Sequence, residues 1–146
     1  MAHVRQQIRN QVATTITGLA TGATVYKMRK FSLDDSALPA LVVYSNDEVS
    51  NLVTVGTRTL NRSVTIVIEV IALGSSTSVF DTIDTMCAEV ETAVANDFTV
   101  GGLAKSAILR RTDTDVNTDG DKAIGVATMN FEVQYVTSIG DAETAR

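Results

Sequence analysis

The chain carries one cysteine, one histidine and one proline among its 146 residues. A lone cysteine, Cys87, permits no intramolecular disulfide and no cysteine-based zinc cluster, and it fits a reducing compartment. With a single histidine beside it, the usual nucleophile and base pairs have almost nothing to be built from. That histidine, His3, stands at a terminus expected to fray, with no partner visible in the sequence, so a metal or general-base role is not expected of it. Positive charge is also in short supply. Twelve Lys and Arg against 17 Asp and Glu leave a formal charge of -5, which argues against a protein held to nucleic acid by phosphate contacts. No run of about 18 apolar residues occurs, and no apolar stretch of signal-peptide length follows Arg5 and Arg9. Neither a membrane span nor export by the usual route is therefore expected. Nucleotide binding lacks support as well, because no G-x-G-x-x-G occurs and Gly101-Gly102 has no downstream Lys-Ser/Thr in P-loop spacing.

What is present is apolar patterning. Hydrophobic residues make up 45% of the chain, enough at this length for one real core. With no repeat, low-complexity segment or linker in view, residues 1–146 read as one domain with a flexible tail from about 138 to 146. The clearest signal is the stretch from Gly125 to Thr137, where Met129, Phe131, Val133 and Tyr135 alternate with Thr128, Asn130, Glu132 and Gln134. This is the period of a half-buried strand, and its dry face needs a covering layer.

Two helical segments can supply that layer. Val4, Ile8, Val12, Ile16 and Leu19 recur at helical spacing and the pattern ends near Gly18 and Gly22. The second helix follows Ser75 to Ser78, all candidate N-caps, with Asp81 and Asp84 near its start and a stripe of Val79 or Phe80, Ile83, Met86, Cys87, Val90 and Val94. It should stop near Asn96 and Asp97. Extended segments are expected at Ala23 to Lys30, at Leu41 to Tyr44 after Pro39, from Arg58 to Leu73, and from Lys105 to Val116. Arg58 to Leu73 is apolar on both faces in its middle, as a central strand is, apart from Glu69. Asn46 to Ser50 reads as a turn, and Asp119-Gly120-Asp121 as a hairpin tip. The order is helix, two or three strands, helix, closing hairpin. That is an α+β fold with an antiparallel sheet of four or five strands and two helices on one face.

No convincing catalytic constellation emerges. Asp115-x-Asn117-x-Asp119-Gly120 matches the first half of a calcium loop, but Val126 stands where the bidentate Glu belongs and the flanks read as strands, so a solvated hairpin tip is the expectation. Cys87 lies on an apolar helix stripe and reads as a small buried hydrophobe. Glu89 and Glu91 fall on different helix faces and read as solvated surface, not as a shared acid–base pair. Neither an enzyme, a metal nor a cofactor is expected.

Arg58, Arg62, Arg110 and Arg111 fall on the expected strands of an acidic protein. Ordinary surface charge is the default reading. The functional one is a subunit interface, in which these four face acidic loops of a neighbouring copy and set the register of a homo-oligomer.

The segments Val4-Arg5-Gln6-Gln7-Ile8-Arg9, Ala37 to Tyr44, Ala88 to Asp97 and Ala127 to Tyr135, in this order and spacing, resemble tail terminator (tail completion) proteins of long-tailed bacteriophages. The resemblance covers nearly the whole chain. It implies a small α+β structural subunit of the virion, made in the host bacterial cytoplasm, that forms a closed ring, commonly six-fold, at the tail–neck junction. Such a ring caps the head-proximal end of the tail tube, ends tube polymerisation and joins tail to neck. The implied partners are the protein itself, the tail tube protein and a head–neck connector, with DNA only as passing cargo and no membrane. On this reading the acidic residues Asp34, Asp35, Asp47, Glu48, Asp119 and Asp121 are divided between the lumen and the docking faces, since acidic walls repel phosphates. The alternatives are another neck or tail component, such as a head–tail stopper, adaptor or tube protein, the same part in a contractile injection particle or gene transfer agent, and a small-ligand-binding α+β domain or an enzyme of unknown type.

Overall fold

A computed structural model describes residues 2–27, 38–75, 77–119 and 122–146. The chain forms α1 (Val4–Thr15), β1 (Thr24–Tyr26), β2 (Ala40–Thr54), β3 (Thr59–Gly74), α2 (Val79–Asn96), β4 (Ser106–Asp119) and β5 (Lys122–Ser138). The strands make one five-stranded sheet in the order β1-β2-β3-β5-β4. Every neighbouring pair is antiparallel except β1 with β2, which run parallel where an antiparallel pair was expected.

The alternation expected of β5 is realised. Met129, Phe131, Val133 and Tyr135 are buried, and β3 sends Val64, Ile66, Ile68, Val70 and Ala72 into the same core. Each large apolar side chain taken from water in this way contributes about 1.5–3 kcal/mol relative to exposure. The two helices cover that face. α1 contributes Val4, Ile8, Val12 and Ala13, and α2 contributes Val79, Ile83, Met86, Cys87, Val90 and Val94, the stripe that the i, i+3/i+4 spacing dictates. Phe80 is excluded from it and is exposed. The middle of the sheet is dry on its second face as well, where Val42 and Val67 are buried. Glu69, the one acid in that central stretch, accepts the Tyr44 hydroxyl at 2.8 Å.

α2 lies very close to β5 at Gly125. A Cβ there would stand 2.8 Å from Val79 Cγ2 and 2.9 Å from a side-chain carbon of Ile83, so only glycine admits the start of the helix. Asp97 closes its far end. Its carboxylate accepts the Gly101 N–H at 2.8 Å, Gln11 Nε2 at 3.1 Å and the Thr15 hydroxyl at 3.1 Å, joining α1, α2 and the following turn. These donors, the Gly101 N–H first, hold its carboxyl below the ordinary value.

One local expectation changes. Asn46 to Ser50 is not a turn but the middle of β2, which continues to Thr54 and reverses only at residues 55–58. Polar residues hid a strand that has an outer edge on this stretch. The register slips between Ser45 and Glu48, so Asn46 and Asp47 together oppose one residue of β3 and the strand bulges. The C-terminal residues make contacts with the body of the domain. Arg146 N donates to Val136 O at 2.8 Å, Val4 N to Ala142 O at 2.8 Å, and Gln7 Nε2 to Glu143 O at 2.9 Å.

Candidate functional site

Glu48 gathers three side chains from three different elements. The β2 bulge turns it toward the helix-covered face, in the row of Val64 and Val133. Its carboxylate receives the Arg5 guanidinium at 2.7 Å, the Arg62 guanidinium at 3.4 Å and the hydroxyl of Tyr135. Arg62 also donates through Nε to the hydroxyl of the fully buried Thr137 at 2.9 Å. The Glu48 and Arg62 side chains are only 10% and 12% exposed, so this is an internal charge cluster and not a surface pair. Burial first, and then the bond to the Glu48 anion, push the Tyr135 hydroxyl above its ordinary pKa, which keeps it protonated as a donor.

His3 borders this cluster and caps α1, its Nδ1 accepting the Arg5 N–H at 3.0 Å. The expectation of a frayed residue without a partner is corrected here. An acceptor imidazole must be neutral, and burial together with the Arg5 charge lowers its pKa accordingly. Glu89, expected as solvated surface, also has work to do: it accepts the Thr21 N–H at 3.0 Å and the Thr21 hydroxyl at 2.7 Å, pinning the α1–β1 connection to α2. Cys87 is buried as expected, its thiol pushed up to about 11 by desolvation and then by Asp84 and Glu91.

The four candidate interface arginines do not form one patch. Arg58 stands at the exposed β2–β3 turn with a φ of 50°, its carbonyl accepting the Ile139 N–H at 2.7 Å. Arg62 points inward, as above. Arg110 and Arg111 lie together on the outer strand β4, at a bulge between Leu109 and Arg111. Arg110 meets Glu132 at 3.3 Å and Arg111 meets Asp113 at 2.8 Å, both exposed. Among the acidic candidates, Asp47 is exposed on the β2 bulge and Glu48 is internal. Asp34, Asp35, Asp121 and the side chain of Asp119 lie outside the described residues. Asp115 and Asn117, from the partial calcium motif, sit on β4 paired to β5, so their backbone is a strand and not a ligand loop. Among the described residues no cluster of three or more His, Cys, Asp or Glu is arranged to hold a metal.

The sequence did not show which strands form the open edges of the sheet. β1 pairs with β2 only at Ala40, Leu41 and Val42. Beyond that, among the described residues, the outer edge of β2 has no strand beside it, and the strand carries exposed Val49, Leu52 and Val53, with Val55 in the turn after it 80% exposed. At the opposite edge β4 is likewise unpaired on its outer side. Beside it runs a groove of about 260 Å³ between β4 and the C-terminal half of α2, lined by Val94, Ala95, Phe98, Ala107, Leu109 and Phe131 among others. Phe98 and Ile108 are exposed there. A larger open groove, about 580 Å³, lies on the outer side of α2 around Leu19, Ala88 and Ala93, where Glu89 is already engaged by Thr21.

No family model matches the chain, and no curated protein matches it. Among solved structures, a chain from the "Virion of native gene transfer agent (GTA) particle" is similar at a TM-score of 0.43 and 16% identity, over 90% of this chain and 92% of that one. A likeness at this level assigns no role. No helix among the described residues is long and apolar enough to cross a membrane.

Proposed function

We propose that this protein is a structural, non-catalytic component of a phage-type virion, and more narrowly a tail terminator: a ring at the head-proximal end of the tail tube that stops tube growth and joins tail to neck. The observation that carries the reading is the pair of sheet edges, open among the described residues and bearing exposed apolar side chains, on opposite sides of the α+β body. A subunit with two different sticky sides associates head to tail, and such a contact closes into a ring when its rotation permits. The sequence resemblance supplies the place of that ring in the particle. The gene transfer agent neighbour is itself named as part of a virion, which agrees with the reading without carrying it. The engaged polar groups fit the same picture: Glu48, Asp97 and Glu89 spend their hydrogen-bonding capacity on holding elements together.

Electron microscopy of the purified protein, alone and mixed with tail tubes, tests this. Rings, or caps at one tube end that halt elongation, are the expected result. Self-polymerisation into long tubes would assign the chain to the tube instead, and a monomer that ignores tubes would overturn the reading.

A further inference from the structure

A head-to-tail ring needs two unlike surfaces on each copy, and the strand order sets how they meet. β2 runs opposite to β3, β3 opposite to β5, and β5 opposite to β4, so the two outer edges run in opposite directions. Rotation about a ring axis preserves strand sense. The β2 edge of one copy therefore meets the β4 edge of the next in the antiparallel sense, the commoner strand arrangement in sheets.

The rows of the sheet place related chemistry on the two edges at a constant offset. Val49 opposes Ser63, Ser63 opposes Gln134, and Gln134 opposes Ser106, so Val49 stands in the row of Ser106. Ile108 lies two residues along on the same face, the one away from the helices. Leu52 opposes Leu60, which opposes the inward-facing Thr137, so Leu52 falls on the helix side, the side of the groove beside Phe98. Asp47 opposes the β3 stretch that pairs with Glu132, and Glu132 opposes Ile108, with Arg110 next on the bulge. Each edge thus offers an apolar group on both faces, and the pairs Val49 with Ile108 and Asp47 with Arg110 share one offset of two residues between the edges.

We propose that this protein assembles by docking the outer edge of β2 in one copy against the β4 edge of a second copy, a contact that rests on the ring reading. Val49 packs on Ile108, Leu52 seats in the groove beside Phe98, and Asp47 faces Arg110. The bulges at Asp47 and Arg110 interrupt a continuous backbone ladder, so side chains give the contact its strength and strand direction gives it its sense. Each of these two edges is used once per copy in a closed ring.

Val49→Cys and Ile108→Cys variants, distinguished by a mass tag, are mixed under mild oxidation and read on non-reducing gels. The native thiol, Cys87, is buried and does not compete. Disulfides between the two kinds of chain are expected in excess of about tenfold over self-linked chains, a ratio equivalent to about 1.4 kcal/mol of preference. Asp47→Lys is expected to weaken assembly about tenfold and Arg110→Asp to restore it in the double variant. Rings that form without the mixed cross-link, or equal self-linking of both variants, would overturn this contact and leave the ring reading standing. Absence of both rings and cross-links at high concentration and on tail tubes would overturn both.

Discussion

Tyr135 and Glu48, 87 residues apart, meet at the end of the core, the tyrosine hydroxyl donating to a carboxylate that also binds two arginines. One acid thereby serves α1 through Arg5, β3 through Arg62 and β5 through Tyr135. Removing it leaves Arg62 charged, nearly buried and short of its counter-ion. Glu48→Ala is expected to cost about 3–5 kcal/mol, read as a lower urea midpoint at unchanged slope. Replacing Arg5 alone, which is 39% exposed, should cost less than about 1 kcal/mol.

Gly125 offers a test of packing with no charge involved. Gly125→Ala places a methyl within 3 Å of Val79 and Ile83, and the start of α2 has to move away from β5. A loss of about 1–3 kcal/mol in denaturant unfolding is expected. Gly56→Ala, where nothing lies within 4 Å and φ is not positive, is the control and should be nearly neutral.

The His3 cap makes a defined contribution to pH dependence. Its folded pKa lies below the ordinary 6.5, so the folded state favours the neutral ring. The cap is fully present above 6.5 and is lost as pH falls through the lowered folded value. NMR titration should give a midpoint below 6.5, and His3→Asn, which keeps an acceptor at the cap, should remove this part of the pH dependence while leaving stability at neutral pH nearly unchanged.

Cys87 should resist thiol reagents in the folded protein. A thiol raised to about 11 and shut into the α2 stripe has almost no thiolate at pH 8. Labelling is expected to be slow in buffer and complete within the mixing time in denaturant, with its native rate following global opening.

Much of the fold was legible because its signals are periodic. The β5 alternation and the α2 stripe are written in consecutive residues and need no knowledge of the rest of the chain. What stayed hidden depends on partners far away. Asn46 to Ser50 looks like a turn because its residues are polar, and it is a strand because β3 pairs with it. Arg62 looks like surface charge, yet it shares the parity of Val64, Ile66 and Ile68, and an arginine continuing an inward-facing row calls for a buried acid. That parity was the available clue. Its partners, Glu48 and Thr137, lie 14 and 75 residues away, and no local pattern names them. Which strands form the open edges was invisible for the same reason, since a strand becomes an edge only through the strands that do not stand beside it.

The bond from Val4 to Ala142 and that from Gln7 to Glu143 bring the beginning and end of the chain to one spot, making the polypeptide nearly a loop. Anything fused to either end emerges from that same place. A short linker joining the ends, with a new opening cut at the exposed 55–58 turn, should give a permuted protein with an unchanged core. In a ring, the two ends of every copy would share one address, either both reachable by an antibody to a terminal tag or both sealed.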